Sequence, residues 1–332
     1  MSNLPYRLLM SGLAVSVALS FMASLLIGPS DLSITDGLSG LWQHEQTLVS
    51  LVMYEIRMPR AILGLMIGIT LGLTGAVMQG FLRNPLAEPS ILGVSSAAAL
   101  GAVLAIYTGL SAVVPIALPV CGLLGAVCAV VIVRALAGPT GSTMTLILAG
   151  VAVGAFASAL TTLALNLSPN PFAAMEIVYW MLGSLTDRSM THVWLAGPFM
   201  LAGWLMLATL ARPLDALTLG VGAAATMGVD MRRLQLFAIL GTAASVGAAT
   251  SVAGAIGFVG LVVPHVLRPL VGAVPSRLLP ASALGGATVL LTADVLVRTI
   301  APSRDLKLGV LTALVGAPFF LWLVWKSRSR SL

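Results

Sequence analysis

An acid inside a long apolar run needs a specific reason to be there, because hydrocarbon does not solvate charge. Asp294 is the acid set well inside such a run, and Arg298 follows one helical turn later on the same face. The modest reading is an i,i+4 ion pair near a membrane interface; the sharper one is a proton relay. Gln79, near the end of another apolar run, is placed to hydrogen-bond between helices. His44, His192 and His265 fall near run ends and read as structural or solvated. Cys121 and Cys128 share one apolar run, form neither a disulfide framework nor a metal motif, and read as buried small hydrophobes. Neither of the two lysines, Lys307 and Lys326, follows a glycine-rich phosphate cradle, and there is no HExxH, CxxC or Ser/His/Asp set. The chain does not read as an enzyme.

The elements that must hold these residues are membrane helices. Of 332 residues 58% are hydrophobic and 8% are charged, against about 25% charged in soluble domains. Mean hydropathy is +1.05. Those values exclude a water-soluble enzyme, a nucleic-acid binder and a disordered chain. A spanning helix needs about 20 apolar residues. The apolar runs fall at 7–27, 60–82, 91–108, 113–134, 144–166, 191–211, 233–253, 256–271, 279–299 and 308–326. The eighth is short and its preceding break carries no charge, so nine or ten spans are expected in one domain over 1–332. The first run has no convincing cleavage site and reads as a retained helix. Gly64, Gly68, Gly72 and then Gly75 give small-xxx-small spacing, which lets helix backbones approach closely.

Ten spans put both termini on one side. Eleven of the 17 basic residues then share that side, and most acids lie on the other, so the termini are expected in the cytoplasm. The +6 net charge is therefore mostly topology. Outside, loops 28–59 and 167–190 are long, the first with room for a short surface helix and the second with an amphipathic piece, Glu176–Leu185. Inside, loop 212–232 reads either as one or two short surface helices or as a plain connector. Two classes of function fit: a permease that borrows ATP hydrolysis from a cytoplasmic partner, and an ion-coupled carrier, which would show more ionisable midplane sites.

Motifs separate the two. Arg57-Met-Pro-Arg60, Gly75-Ala-Val-Met-Gln79, Arg83-Asn-Pro-Leu-Ala-Glu-Pro89 and Leu92-Gly93 occur in order, followed by Tyr179-Trp-Met-Leu-Gly-Ser184. Then come Ala253-Gly-Ala-Ile-Gly-Phe-Val-Gly-Leu-Val-Val-Pro-His-Val-Leu-Arg268, Ala293-Asp294 with Arg298, and Gly309, Thr312-Ala313 and Gly316-Ala-Pro-Phe319. Over about 50–325 this set resembles the FecCD-type permeases of type II ABC importers for iron-siderophores, haem and vitamin B12.

The resemblance implies an all-α membrane protein, a bundle of about ten transmembrane helices in inverted five-helix halves. It implies pairing with a second copy or a related permease, two cytoplasmic ATPase subunits and a periplasmic substrate-binding protein, in the bacterial inner membrane. No cofactor is expected on this chain; ATP and magnesium belong to the partner ATPases. The first substrate expectation is an iron chelate of siderophore type, with vitamin B12 or haem as the alternative. Arg57, Arg60 and Arg298 take the family's binding-protein docking positions. Asn84 and Leu86, with Thr143 and Met144, take those of the cytoplasmic gate, Met144 replacing a small polar residue. Gly220, Gly222, Ala223, Ala224 and Gly228 match the ATPase coupling loop, Gly222 replacing the customary glutamate. Lys307 stands where the family has proline, near the docking face.

Overall fold

The computed structural model describes residues 5–28, 35, 37, 47–138, 142–168, 170–300 and 306–328. Thirteen helices carry the architecture: α1 Tyr6–Leu26, α2 Leu48–Phe81, α3 Val94–Tyr107, α4 Ala117–Ala137, α5 Thr143–Asn166, α6 Pro171–Met181, α7 Met190–Ala208, α8 Ala211–Leu217, α9 Val221–Thr226, α10 Met231–Ala253, α11 Val259–Leu267, α12 Pro275–Ile300 and α13 Leu308–Arg328. No strand occurs among the described residues. Eight are long and apolar enough to cross a membrane, and α3 and α11 are shorter apolar helices. Each of the ten expected runs thus has its helix, and the starts of α1 and α12 share one face of the bundle, where the Tyr6 hydroxyl donates to the Arg277 carbonyl. We call this the loop face, because 212–232 lies on it, and the opposite one the arginine face.

Local chemistry sets the helix ends. The side chains of Ser142, Asn170 and Asp230 accept the orphan N–H groups at the starts of α5, α6 and α10. Gly138 and Gly254 end α4 and α10 with positive φ. Helix α2 starts before the expected 60, at Leu48, and passes through a π-helical stretch, Val52–Arg57, so part of loop 28–59 is helical. Loop 167–190 holds α6, and 212–232 holds α8 and α9, two short helices rather than a plain connector. His44 lies outside the described residues.

The glycine stripe of α2 faces α12 and α11. A Cβ on Gly68 would meet the backbone of Gly286 and Ala287, and one on Gly72 or Gly75 would overlap the carbonyls of Ser282 and Gly260. Backbones meet there without side chains between them, which gives dispersion contact where the hydrophobic effect gives none. The two cysteines correct an expectation: Cys121 is half-buried and Cys128 exposed on α4, as an apolar thiol facing lipid can be.

Candidate functional site

At the arginine face, α1 ends with its last carbonyls unpaired by helix geometry. Arg57, at the end of the π-helical stretch, is 4% exposed and donates from Nη1 to the Leu25 and Leu26 carbonyls at 3.1 and 2.8 Å. Arg298 of α12 donates from Nη1 to the Ser24 and Ile27 carbonyls at 3.1 and 2.8 Å and from Nη2 to Ser24 Oγ at 3.0 Å. Its Nη2 also pairs with Asp294 Oδ2 at 2.8 Å. Arg60 approaches the same carboxylate from α2, with Nη2 2.8 Å from Oδ1 and Nε 2.9 Å from it, and Nη1 reaches Thr186 Oγ1 at 3.4 Å. The expected Asp294–Arg298 pair is present, and a second arginine that the helical spacing did not reveal completes it. Asp294 is fully buried between two guanidinium groups, an arrangement of a structural clamp rather than of a proton relay.

The three arginines therefore converge, but two of them point inward. Positive charge at a helix C-terminus is favourable, and here it serves to tie α1 to α2 and α12. Arg60 keeps the larger exposure, 13% of its side chain.

Beside this clamp, the turn after α6 knits three elements. Ser184 N–H donates to the Ala253 carbonyl at 2.8 Å, and Gly309 N–H to the Gly183 carbonyl at 3.1 Å. Gly183 takes φ 73°, and a Cβ there or on Gly309 would overlap the Ala255 region. Arg188 Nε donates to the Val252 carbonyl near the end of α10. Burial lowers the pKa of Arg188 from its ordinary value, and neighbouring Asp187 opposes that shift. His192 completes a capping box with Ser189 at the start of α7, so its role is structural. Lys307 lies 5.5 Å from the Tyr179 ring centroid.

At the loop face, Asn84 Oδ1 accepts from Leu86 N–H at 2.9 Å, an Asx turn that follows Arg83 at φ 50°. Thr143 and Met144 open α5 behind the Ser142 cap, and both are exposed. The chain after Leu86 then re-enters the bundle: a Cβ on Gly93 would overlap Gly150 and Gly154 of α5, about 10 Å along that helix from Thr143 at 1.5 Å per residue. Gln79 bonds between helices as expected, donating to the Leu261 carbonyl at 3.2 Å and accepting from Arg268 Nη2 at 2.6 Å. His265 sets its ring edge-on to Phe319 at 6.0 Å.

The 212–232 segment stands on this face. Gly220 and Gly228, at φ 104° and 85°, turn the chain on either side of α9. Ala224 is buried and anchors α9, Gly222 has open space where a side chain would be, and Leu219, Val221 and Met227 are exposed. Asp215 of α8 accepts the Ser276 N–H at the start of α12 at 2.8 Å, so this platform is hydrogen-bonded to the helix that carries Asp294.

One residue was missed. Glu88 is half-buried, not a free acid on the loop face, and its Oε1 accepts the Phe258 N–H at 2.9 Å. Phe258 has φ 67° and caps α11, and its side chain fills the space that a Cβ on Gly316 would need. The glycines at 254 and 257 hinted at irregular backbone, but nothing in the sequence pairs positions 88 and 258.

With this geometry in view, the comparisons agree. The FecCD transport family matches residues 14–326. The cobalamin import system permease protein BtuC of Halobacterium salinarum is 42% identical over 280 residues, covering 83% of this chain and 74% of that protein. The Fe(3+) dicitrate transport system permease protein FecD of Escherichia coli is 37% identical, covering 86% and 89%. The hemin transport system permease protein HmuU of Yersinia pestis is 34% identical, covering 83% and 84%. A metal-chelate type ABC transporter solved in an inward-facing conformation shares the fold at TM-score 0.83 and 32% identity, covering 97% and 99%. The chain is accordingly a multi-span ABC importer permease, not itself an ATPase, and it belongs to the FecCD transport family.

Proposed function

We propose that this permease carries an iron chelate of siderophore type, received from a periplasmic binding protein at the arginine face and released at the loop face in the cytoplasm. Two copies, or this chain and a related permease, enclose the path in the inner membrane. Two ATPase subunits bind ATP and magnesium below. The observation that carries the reading is the 212–232 platform. A short helix with exposed Leu219, Val221 and Met227 around small Gly222, Ala223 and Ala224 suits a cleft on another protein, and Asp215 ties it to α12. Asn84, Leu86, Thr143 and Met144 form the cytoplasmic gate in this reading.

For docking, Arg60 is the guanidinium best placed to meet a carboxylate, while Arg57 and Arg298 act mainly by holding α1 beneath it. Similarity to the dicitrate permease supports iron. A second reading, cobalamin, is favoured by the 42% identity to a permease named for it. The test is uptake into proteoliposomes holding the permease, its ATPase and its binding protein, with radioactive iron chelates, hemin and cyanocobalamin supplied in turn. ATP-dependent accumulation that stops with a catalytically dead ATPase and ignores a protonophore is expected. Uptake that persists with the dead ATPase and follows the proton gradient would sink the reading.

A further inference from the structure

Helices α7 and α10 touch backbone to backbone where a Cβ on Gly203 would meet the Gly241 carbonyl. Nearer the loop face a cavity of about 560 Å³ lies between the end of α7, α8 and the first two turns of α10, inside the ~300–1,000 Å³ range of small-ligand sites. Two arginines line it, Arg212 at the start of α8 and Arg233 in the first turn of α10. Both are exposed, and neither guanidinium has a carboxylate partner among the described residues. Arg233 lies over the Phe237 ring, 5.2 Å from its centroid, which restrains it along the wall. Asp230 also lines the cavity. One of its oxygens caps α10, accepting the N–H groups of Arg232 and Arg233 at 2.9 and 3.1 Å, and the other takes no partner among the described residues.

Two guanidinium groups and a carboxylate oxygen around one cavity match a ligand that carries a phosphodiester and a cationic donor side by side. The place of the cavity narrows the choice. Phe237, about 9 Å along α10 from Met231, and buried Leu210 and Leu234 make its inner wall apolar. Thr209 lines it at the end of α7, and Leu205 and Leu201, one and two helical turns earlier on the same face, are exposed. An apolar track thus leads from a charged cavity at the span ends into the depth of the bilayer.

We propose that this cavity holds the headgroup of a phospholipid of ethanolamine type, with its phosphate between Arg212 and Arg233, its ammonium on the unpartnered oxygen of Asp230 and an acyl chain along Leu205 and Leu201. Basic pockets between spanning helices at a membrane surface suit lipid phosphates. A choline headgroup carries the same charges but no N–H donor, so it forgoes the hydrogen bond to Asp230. The lipid lies beside the platform and leaves exposed Leu219 and Val221 open, since neither lines the cavity. The inference goes beyond the importer reading and needs only that α7 and α10 span the membrane.

The test takes the purified permease with its partner subunits, stripped of lipid in detergent. Phosphatidylethanolamine or phosphatidylcholine with the same chains is titrated in, and native mass spectrometry counts the bound lipid. Phosphatidylethanolamine should bind about fivefold more tightly, the worth of one hydrogen bond. Asp230→Asn, which still caps α10, should erase that preference. Arg212→Gln with Arg233→Gln should weaken both lipids at least ~10-fold through the loss of two phosphate contacts. Arg232→Gln should leave both unchanged, because Arg232 is an exposed neighbour that does not line the cavity. If the double variant does not assemble, Thr209→Glu, which sets an anion at the exposed edge of the cavity, should weaken both lipids in its place. Glycerophosphoethanolamine, the same headgroup without chains, should not displace the lipid at equal concentration. Equal affinity for the two lipids, a loss in Arg232→Gln as large as in the double variant, or displacement by the chainless headgroup overturns the proposal. The titration contains neither ATP nor transported solute, so its failure is distinct from a failure of ATP-driven uptake.

Discussion

Asp294 holds two arginines from different helices, Arg60 across the α2–α12 seam and Arg298 one turn along its own helix, each with a guanidinium nitrogen 2.8 Å from a carboxylate oxygen. Through Arg298, and through Arg57 beside it, the cluster reaches the last carbonyls of α1. One buried acid thus sets the charge balance for a joint among three spans.

Asp294→Asn removes that charge and leaves two guanidinium groups facing each other. Breaking a buried pair by losing one partner costs about 3–5 kcal/mol, because the remaining charge keeps its desolvation penalty. The purified variant should melt well below the parent in detergent. Asp294→Glu should lose less, since it keeps the charge. An unchanged melting temperature in Asp294→Asn would show that the arginines are compensated elsewhere.

Arg57→Gln tests the anchoring of α1 separately. The Leu25 and Leu26 carbonyls lose a charged donor, a hydrogen bond worth about 1.5–3 kcal/mol when the donor is ionised. Amide exchange should quicken across the last turn of α1 and stay unchanged in α10, which Arg57 does not touch. Protection left intact at Ser24–Ile27 would count against the anchoring role.

These clamps also mark how far the sequence could be read. The ten spans were legible because hydrocarbon demands long apolar runs and charge collects between them. The Gly64–Gly75 stripe announced close packing, yet not that Ser282, Gly286 and Gly260 lie opposite it, since spacing on one helix names no partner. Arg57, Arg60 and Arg298 were found by motif, but their acceptors were not: backbone carbonyls have no sequence signature, so residues that read as outward docking groups are largely turned inward. Glu88 escaped for a related reason. It follows a turn and looks like one more loop acid until the chain folds back toward Phe258.

Two glycines of α2 and α9 give opposite expectations for the same change. Gly72→Ala places a methyl into the Ser282 carbonyl, with backbone on both sides and nothing flexible to yield. Overpacking of this kind costs about 1–3 kcal/mol and here must also push α2 from α12. Gly222→Ala meets open space, so the isolated permease should melt as the parent does. Thermal scans of the two variants side by side check both statements. Equal melting temperatures would contradict the α2–α12 contact.

The Asp215–Ser276 bond makes the last prediction, on how the platform moves the bundle. Asp215 accepts an N–H at the start of α12, and that helix runs to Asp294 and Arg298 at the far face. If the ATPase moves α8 and α9, this bond is a direct route from the platform into a spanning helix. Asp215→Ala leaves the Ser276 N–H unpaired at a helix start, a loss of about 1 kcal/mol, too little to unfold the protein. Transport should fall more than ATP hydrolysis, so that less solute enters per ATP consumed. Asp215→Asn keeps a carbonyl acceptor and should restore most of the ratio. A merely structural role would lower both activities together, in proportion to folded protein, and would leave solute per ATP unchanged.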